Sequence, residues 1–134
     1  MEYKWDQSLE TGHSQIDAQH RQLIAALNTL IRTCEEGKGK DELKKSLDFL
    51  NDYTIKHFFD EEQLQMQYQY PDFENHRKYH EEFKKIIRNF SVELILKGAT
   101  ESLVKEVQAK LGSWLITHIK GQDVKIAAHI KSRS

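Results

Sequence analysis

The sequence predicts an all-α protein, an up-down-up-down four-helix bundle with an N-terminal arm and a short C-terminal helix. Apolar residues recur at three- and four-residue spacing in four successive stretches, which is the period of a helix with one buried face. Helix start and stop signals bound each stretch, and the connections between them are only a few residues long, the pattern of antiparallel neighbours. The chain has 134 residues, 38% of them hydrophobic, enough for a single core, so one domain over 1–134 is expected.

Residues 1 to about 13 show no helical period and read as an arm over the bundle, anchored by Trp5. Ser14-Gln15-Ile16-Asp17 has the spacing of a capping box, with Asp in place of the usual Glu. The first helix follows with the stripe Ile16, Leu23, Ile24, Leu27, Leu30, Ile31 and Cys34, and ends near Gly37-Lys38-Gly39. His20 lies on that stripe and points inward. Asp41 is placed to cap a second helix whose inner face is Leu43, Leu47, Leu50, Thr54, His57, Phe58, Glu61 and Leu64 or Gln65, and which must stop before Pro71. Asp72 is suited to cap a third helix. Its stripe is Phe73, His76, His80, Phe83, Ile87, Phe90 and Leu94, and Gly98 is the expected stop. Thr100 and Glu101 open the fourth, with Leu103, Val107, Leu111, Trp114, Leu115 and His118 inward. Gly121 disturbs it, and an amphipathic tail runs from Val124 to about Lys131.

Composition narrows the function. The formal net charge is −1 with no long run of one sign, so the electrostatic footprint expected of a nucleic-acid or anionic-lipid binder is missing. No apolar run approaches the ~18 residues of a membrane span and no signal peptide opens the chain. Cys34 is the only cysteine, which rules out an intrachain disulfide and suits a buried small hydrophobe. A cytoplasmic monomer is the expectation.

Polar residues on the inner stripes carry the chemistry. At about 100° per residue, His57 and Glu61 share one face, as do His76 and His80. A buried ionised carboxylate without a partner costs several kcal/mol, so Glu61 needs a cation. Of its acidic neighbours, Glu62 lies about 140° from His57 and reads as solvated surface, whereas Asp60 is less cleanly excluded. Asp123 follows His118 by five residues, where an unbroken α-helix swings it off the histidine's face; a local turn at Gly121 returns it. Read alone, Asp123 simply caps the tail. Every helix thus sends a polar side chain inward, and five of the seven histidines point into the core. A metal site accounts for all of them with one cause. His13 and His129 are expected to be solvated or to cap helices.

The order His20, His57-x-x-x-Glu61, His76-x-x-x-His80, His118-x-x-x-x-Asp123, together with Trp5, Ile16-Asp17-Ala18-Gln19-His20, Tyr70-Pro71 and Trp114-Leu115-Ile116-Thr117-His118-Ile119, resembles the bacterial hemerythrins over nearly the whole chain. The resemblance implies a non-haem di-iron centre, oxo- or hydroxo-bridged. His76, His80 and His118 would hold one iron, His20 and His57 the other, and Glu61 and Asp123 would bridge them. With these donors a pair of octahedral irons is one position short, and the vacancy falls on the iron held by His20 and His57. Reversible binding of dioxygen there is the implied function, for storage, delivery or scavenging, with Trp114, Leu115, Ile119 and Phe58 walling the open position. Ferritin-like di-iron oxidases instead use two Glu-x-x-His motifs and two further glutamates. Five imidazoles and two carboxylates stabilise high-valent iron less, so binding is expected before catalysis. A di-iron enzyme reducing oxygen, peroxide or nitric oxide stays open as an alternative, as does an oxygen or iron sensor or an iron buffer. Family proteins are often fused to signalling domains; none is expected within this chain, so a sensor would act through a docked, unidentified protein partner.

Overall fold

A computed structural model describes residues 3–37 and 40–133, apart from the side chains of residues 40 and 108. It contains α1 (Ser14–Glu35), α2 (Lys40–Gln67), α3 (Phe73–Lys97), α4 (Glu101–His118), a π-helical turn over Ile119–Asp123 and α5 (Val124–Arg133). Helix α1 packs on α2, α2 on α3 and α3 on α4, and α4 returns to α1, so the four expected helices close an antiparallel ring. The predicted stripes are its lining: Leu23, Leu27, Leu30, Leu47, Leu50, Phe83, Ile87, Leu94, Val107 and Leu111 are all buried. No helix among the described residues is long and apolar enough to cross a membrane.

The helix ends differ in detail from the sequence reading. Helix α1 is capped by His13, whose Nδ1 accepts from the Ile16 amide at 3.3 Å, and not by Ser14. Asp17 instead turns back to accept from the Thr11 amide and hydroxyl at 2.9 and 2.7 Å, tying the arm to the helix start. The expected end of α1 is met by Gly37 at φ +66°; Lys38 and Gly39 lie outside the described residues. Asp41 falls in the first turn of α2, beside Glu42, where both carboxylates favour the positive end of the helix dipole. Asp72 stands at the N-cap of α3 without a side-chain cap bond, because its Oδ1 is taken by the Asn75 side-chain amide at 2.8 Å.

What stops α2 is Gln69, at φ +53°. The amide of Tyr70 reaches back to the Gln65 carbonyl at 2.8 Å and that of Gln69 to Met66 at 3.2 Å, the paired closure of a helix ending in a left-handed residue. Pro71 then bars re-entry.

The arm lies over the bundle as expected. Tyr3 exchanges two hydrogen bonds with the Asn28 side chain, at 2.8 and 2.7 Å, and Trp5 packs against the core with the Arg21 guanidinium 4.9 Å from its ring centre. Gly112 is buried because the Tyr3 ring occupies the space a Cβ would need.

Two apolar clusters divide the interior. The larger fills most of the bundle, and a smaller one gathers Ile16, Tyr70, Ile126 and Ile130. His20, His57, Glu61, His76, His80, His118 and Asp123 are buried with them and form a polar layer in the interior.

Candidate metal centre

All seven predicted residues are brought together, each at most 4% exposed. Their donor atoms form two groups, and within each group all lie within 4.8 Å of one another: His76, His80 and His118 with Glu61 and Asp123, and His20 and His57 with the same two carboxylates. Each carboxylate divides its oxygens between the groups. Glu61 Oε1 lies 2.9 Å from His76 Nε2 and 3.0 Å from His80 Nε2, while Oε2 lies 3.3 Å from His57 Nε2 and 3.7 Å from His20 Nε2. Asp123 Oδ1 lies 3.0 Å from His76 Nε2 and 3.1 Å from His118 Nε2, while Oδ2 lies 2.7 Å from His20 Nε2.

Hydrogen bonding among these groups does not account for the arrangement. His76 Nε2 faces Glu61, Asp123 and, at 3.1 Å, the Nε2 of His118, and one imidazole N–H cannot serve three partners. His20 Nε2, His57 Nε2, Glu61 Oε2 and Asp123 Oδ1 are buried with no hydrogen-bond partner of acceptable geometry, despite the short approach of His20 to Asp123. Native interiors rarely leave so many polar atoms unpaired in one place. Metal bonds of about 2.1 Å meeting at right angles hold neighbouring donors about 3.0 Å apart, which is the spacing seen around His76. The residues present therefore fit two cations that share two carboxylates.

A family model described as the hemerythrin HHE cation binding domain matches residues 11–130. The chain belongs to the hemerythrin family. It is 31% identical to the bacteriohemerythrin of Stenotrophomonas maltophilia over 128 residues, covering 96% of this chain and 81% of that one. To the bacteriohemerythrin of Pseudomonas aeruginosa it is 33% identical, covering 89% and 75%, and to the myohemerythrin of Riftia pachyptila 30%, covering 96% and 93%. The crystal structure of a wild-type hemerythrin superposes with a TM-score of 0.82 at 24% identity, over 96% of this chain and 97% of that one, which speaks for the fold. Dioxygen binding is the characteristic function of hemerythrins, most of which are carriers and not enzymes.

In this hemerythrin-family chain the local turn expected at Gly121 is a π-turn over Ile119–Asp123, and it carries Asp123 to the centre. The helix runs on through the π-turn, where the Val124 amide bonds to the Ile119 carbonyl five residues back. A π-turn is an α-helix with one residue inserted, so the fifth residue after His118 takes the place the fourth has in an α-helix. Gly121 itself is permissive and not required: a Cβ there meets nothing within 4 Å.

The acidic run after His57 is more engaged than its pattern indicated. Glu62, read as solvated, accepts from His80 Nδ1–H at 2.9 Å through Oε2. Asp60 accepts from the Gln19 side-chain amide at 2.8 Å, and Gln19 Oε1 accepts in turn from His57 Nδ1–H at 2.7 Å. Both bonds hold the imidazole so that its Nε2 lone pair faces the centre. Gln19 and Glu62 are the partners of the candidate ligands that periodicity missed, for each reaches across to a neighbouring helix. His129, half-buried, caps a neighbouring helix as expected: its Nε2–H donates to the Tyr68 carbonyl just past the end of α2 at 2.7 Å and its ring meets Tyr70 at 5.4 Å, fastening α5 to that end.

Electrostatics in the metal-free chain follow from two carboxylates side by side. Burial disfavours the imidazolium of His20, yet Asp123 and Glu61 outweigh it and raise its pKa to about 10; the same balance raises His76 to about 9. Burial pushes the Glu61 carboxyl up, but His57, His20 and His76 hold it well below the usual range. Burial and the Glu61 charge push Asp123 up, and His118 and His20 override them. Protons therefore stand in for the cations.

Aromatic rings press mainly on the three-histidine group. Phe58 stacks on His80 at 3.8 Å and 3°, and Trp114 on His118 at 4.5 Å and 17°. Phe58 also stands 5.8 Å from His57. Leu115 and Ile119 are fully buried in the adjoining core.

Proposed function

We propose that this chain binds dioxygen reversibly at a non-haem di-iron centre, with His76, His80 and His118 on one iron, His20 and His57 on the other, and Glu61 and Asp123 bridging. The observation that carries this reading is the division of each carboxylate, one oxygen to each group of histidines. The three-histidine group offers five donors and the two-histidine group four, so a shared oxo or hydroxo bridge leaves the open position on the side of His20 and His57. When bound, a ferrous pair supplies that position and the electrons dioxygen takes up.

The chain's own residues keep that chemistry reversible. Gln19, backed by Asp60, fixes the His57 tautomer; Glu62 fixes that of His80 and makes it a stronger donor. Leu115, Ile119 and Phe58 exclude the water and protons that turn reversible binding into oxidation. Few anionic donors favour binding over oxygen activation, and a carrier is the reading adopted before a reductase. Dioxygen is the partner. The chain acts as a monomer in the cytoplasm, and neither nucleic acid nor membrane is a partner.

The test is to load the protein with ferrous iron without oxygen, count irons per chain, admit oxygen, record the visible spectrum and sparge with argon. A charge-transfer band that appears with oxygen and vanishes under argon, on a chain holding two irons, supports the carrier. Direct passage to the oxidised form with turnover on added reductant favours the enzyme. Fewer than two irons per chain overturns the site.

A further inference from the structure

An oxygen carrier that oxidises must be reduced again, and electrons must then cross the protein to buried histidines. His20 and His80 are fully buried and His57 and His76 are 1% exposed, whereas His118 is 4% exposed. His118 also lines a cleft: a cavity of about 370 Å³ opens between α3 and α4, with Tyr79, Glu82, Trp114, Thr117 and Gln122 around it. Trp114 is half-buried and lies nearly parallel on the His118 ring. Tyr79, 39% exposed, meets the same ring edge-on at 6.0 Å. Glu82 accepts from the Trp114 indole N–H at 3.2 Å and holds the indole over the histidine. Solvent and the candidate metal centre are thus separated by one stacked pair of rings.

We infer that this cleft docks a small neutral hydroquinone, which reduces the oxidised centre through Trp114 and His118. Three features select that class. The aromatic walls favour a flat ring. Glu82 on the rim, with Thr117 and Gln122, offers acceptors to ring hydroxyls, and the absence of a lysine or arginine in the lining, together with that carboxylate, opposes anionic donors such as flavin phosphates. A volume of about 370 Å³ admits one or two fused rings and not a protein side. In the step, the two O–H bonds of the hydroquinone break and it becomes the quinone. Its two electrons pass to the two ferric ions, which become ferrous, and its two protons leave to the water at the mouth of the cleft.

This inference rests on the di-iron reading above, so its test has one arm that needs no metal. In the metal-free protein, 1,4-naphthoquinone should quench tryptophan fluorescence saturably, and Thr117→Phe, which fills the cleft from its exposed side, should abolish the saturable part. In the iron-loaded, oxidised protein, reduction by 1,4-naphthohydroquinone should saturate with concentration, and Trp114→Leu and Thr117→Phe should each slow it at least tenfold, while Thr117→Phe changes reduction by dithionite less than twofold. Should Trp114→Leu fail to fold, Thr117→Phe decides alone. Unsaturable quenching, or a reduction rate that Thr117→Phe leaves unchanged, overturns the docking site. Failure of the chain to hold iron while quenching remains saturable overturns the di-iron reading and, with it, the reduction step.

Discussion

His20 shows at the scale of one residue how protons and metal compete. Its pKa of about 10 in the folded, metal-free chain lies above the ordinary imidazole value of 6.5, so this term stabilises the metal-free fold fully below about pH 6.5 and is lost as pH rises toward 10. His76, raised to about 9, behaves alike over a slightly narrower window. Loading ferrous iron at pH 7 must displace both protons. A pH-indicator titration should therefore record proton release that is large at neutral pH and falls away as the loading pH approaches 10; release that does not change across this range would show that His20 and His76 are not protonated. The outer hydrogen bonds are separable from the ligands themselves. Glu62→Gln keeps an acceptor for His80 but removes its charge, and Gln19→Leu removes the acceptor of His57 and leaves Asp60 unpaired. Each is expected to weaken iron retention by roughly 10- to 100-fold, read by competition with a chelator. Leu115→Ala opens a cavity costing about 2–5 kcal/mol and should hasten autoxidation by admitting water; an unchanged rate would show that Leu115 does not guard the open position.

The π-turn is the element that brings Asp123 to the candidate centre. Gly121→Ala should leave iron content unchanged, since the added Cβ has open space and alanine favours helix. One alanine inserted between Gly121 and Gln122 puts Asp123 six residues beyond His118, turned by about 100° from the centre, and iron content should fall while circular dichroism still reports helix. An insertion mutant that held two irons would show that Asp123 does not bridge. Elsewhere the helix ends are sturdier than their sequence signals. Helix α2 stops at Gln69 without a glycine, because the Tyr70 and Gln69 amides close the last turn and Pro71 forbids another.

For the whole molecule the polar layer is both the function and the weak plane. Five imidazoles and two carboxylates are removed from water, and without cations several of their atoms have no partner, a desolvation cost that the two apolar clusters must offset. Metal binds the folded state and not the unfolded one, so free metal at about 1,000 times its dissociation constant adds about 4 kcal/mol. Chelation should lower the melting temperature by on the order of 10 °C for a domain of this size. A melting temperature indifferent to chelator would mean that the centre is not loaded.

Much of this was legible without coordinates. Inward-facing positions come from periodicity, so the four helices, their buried stripes and the inward facing of His20, His57, Glu61, His76, His80 and His118 follow from spacing alone. Asp123 is different: along an unbroken helix its angle is wrong, and only the π-turn, a choice among backbone hydrogen bonds, corrects it. Glu62 and Gln19 escaped because periodicity reports an angle about one helix axis and says nothing about what stands across the groove. His80 waits there for Glu62, and His57 for Gln19. By itself the sequence determined which residues are buried together, since burial follows from the order of apolar and polar side chains. Tertiary structure alone decided which oxygen of Glu61 and of Asp123 faces which histidines, because that depends on the relative rotation and depth of four packed helices, which no single helix encodes.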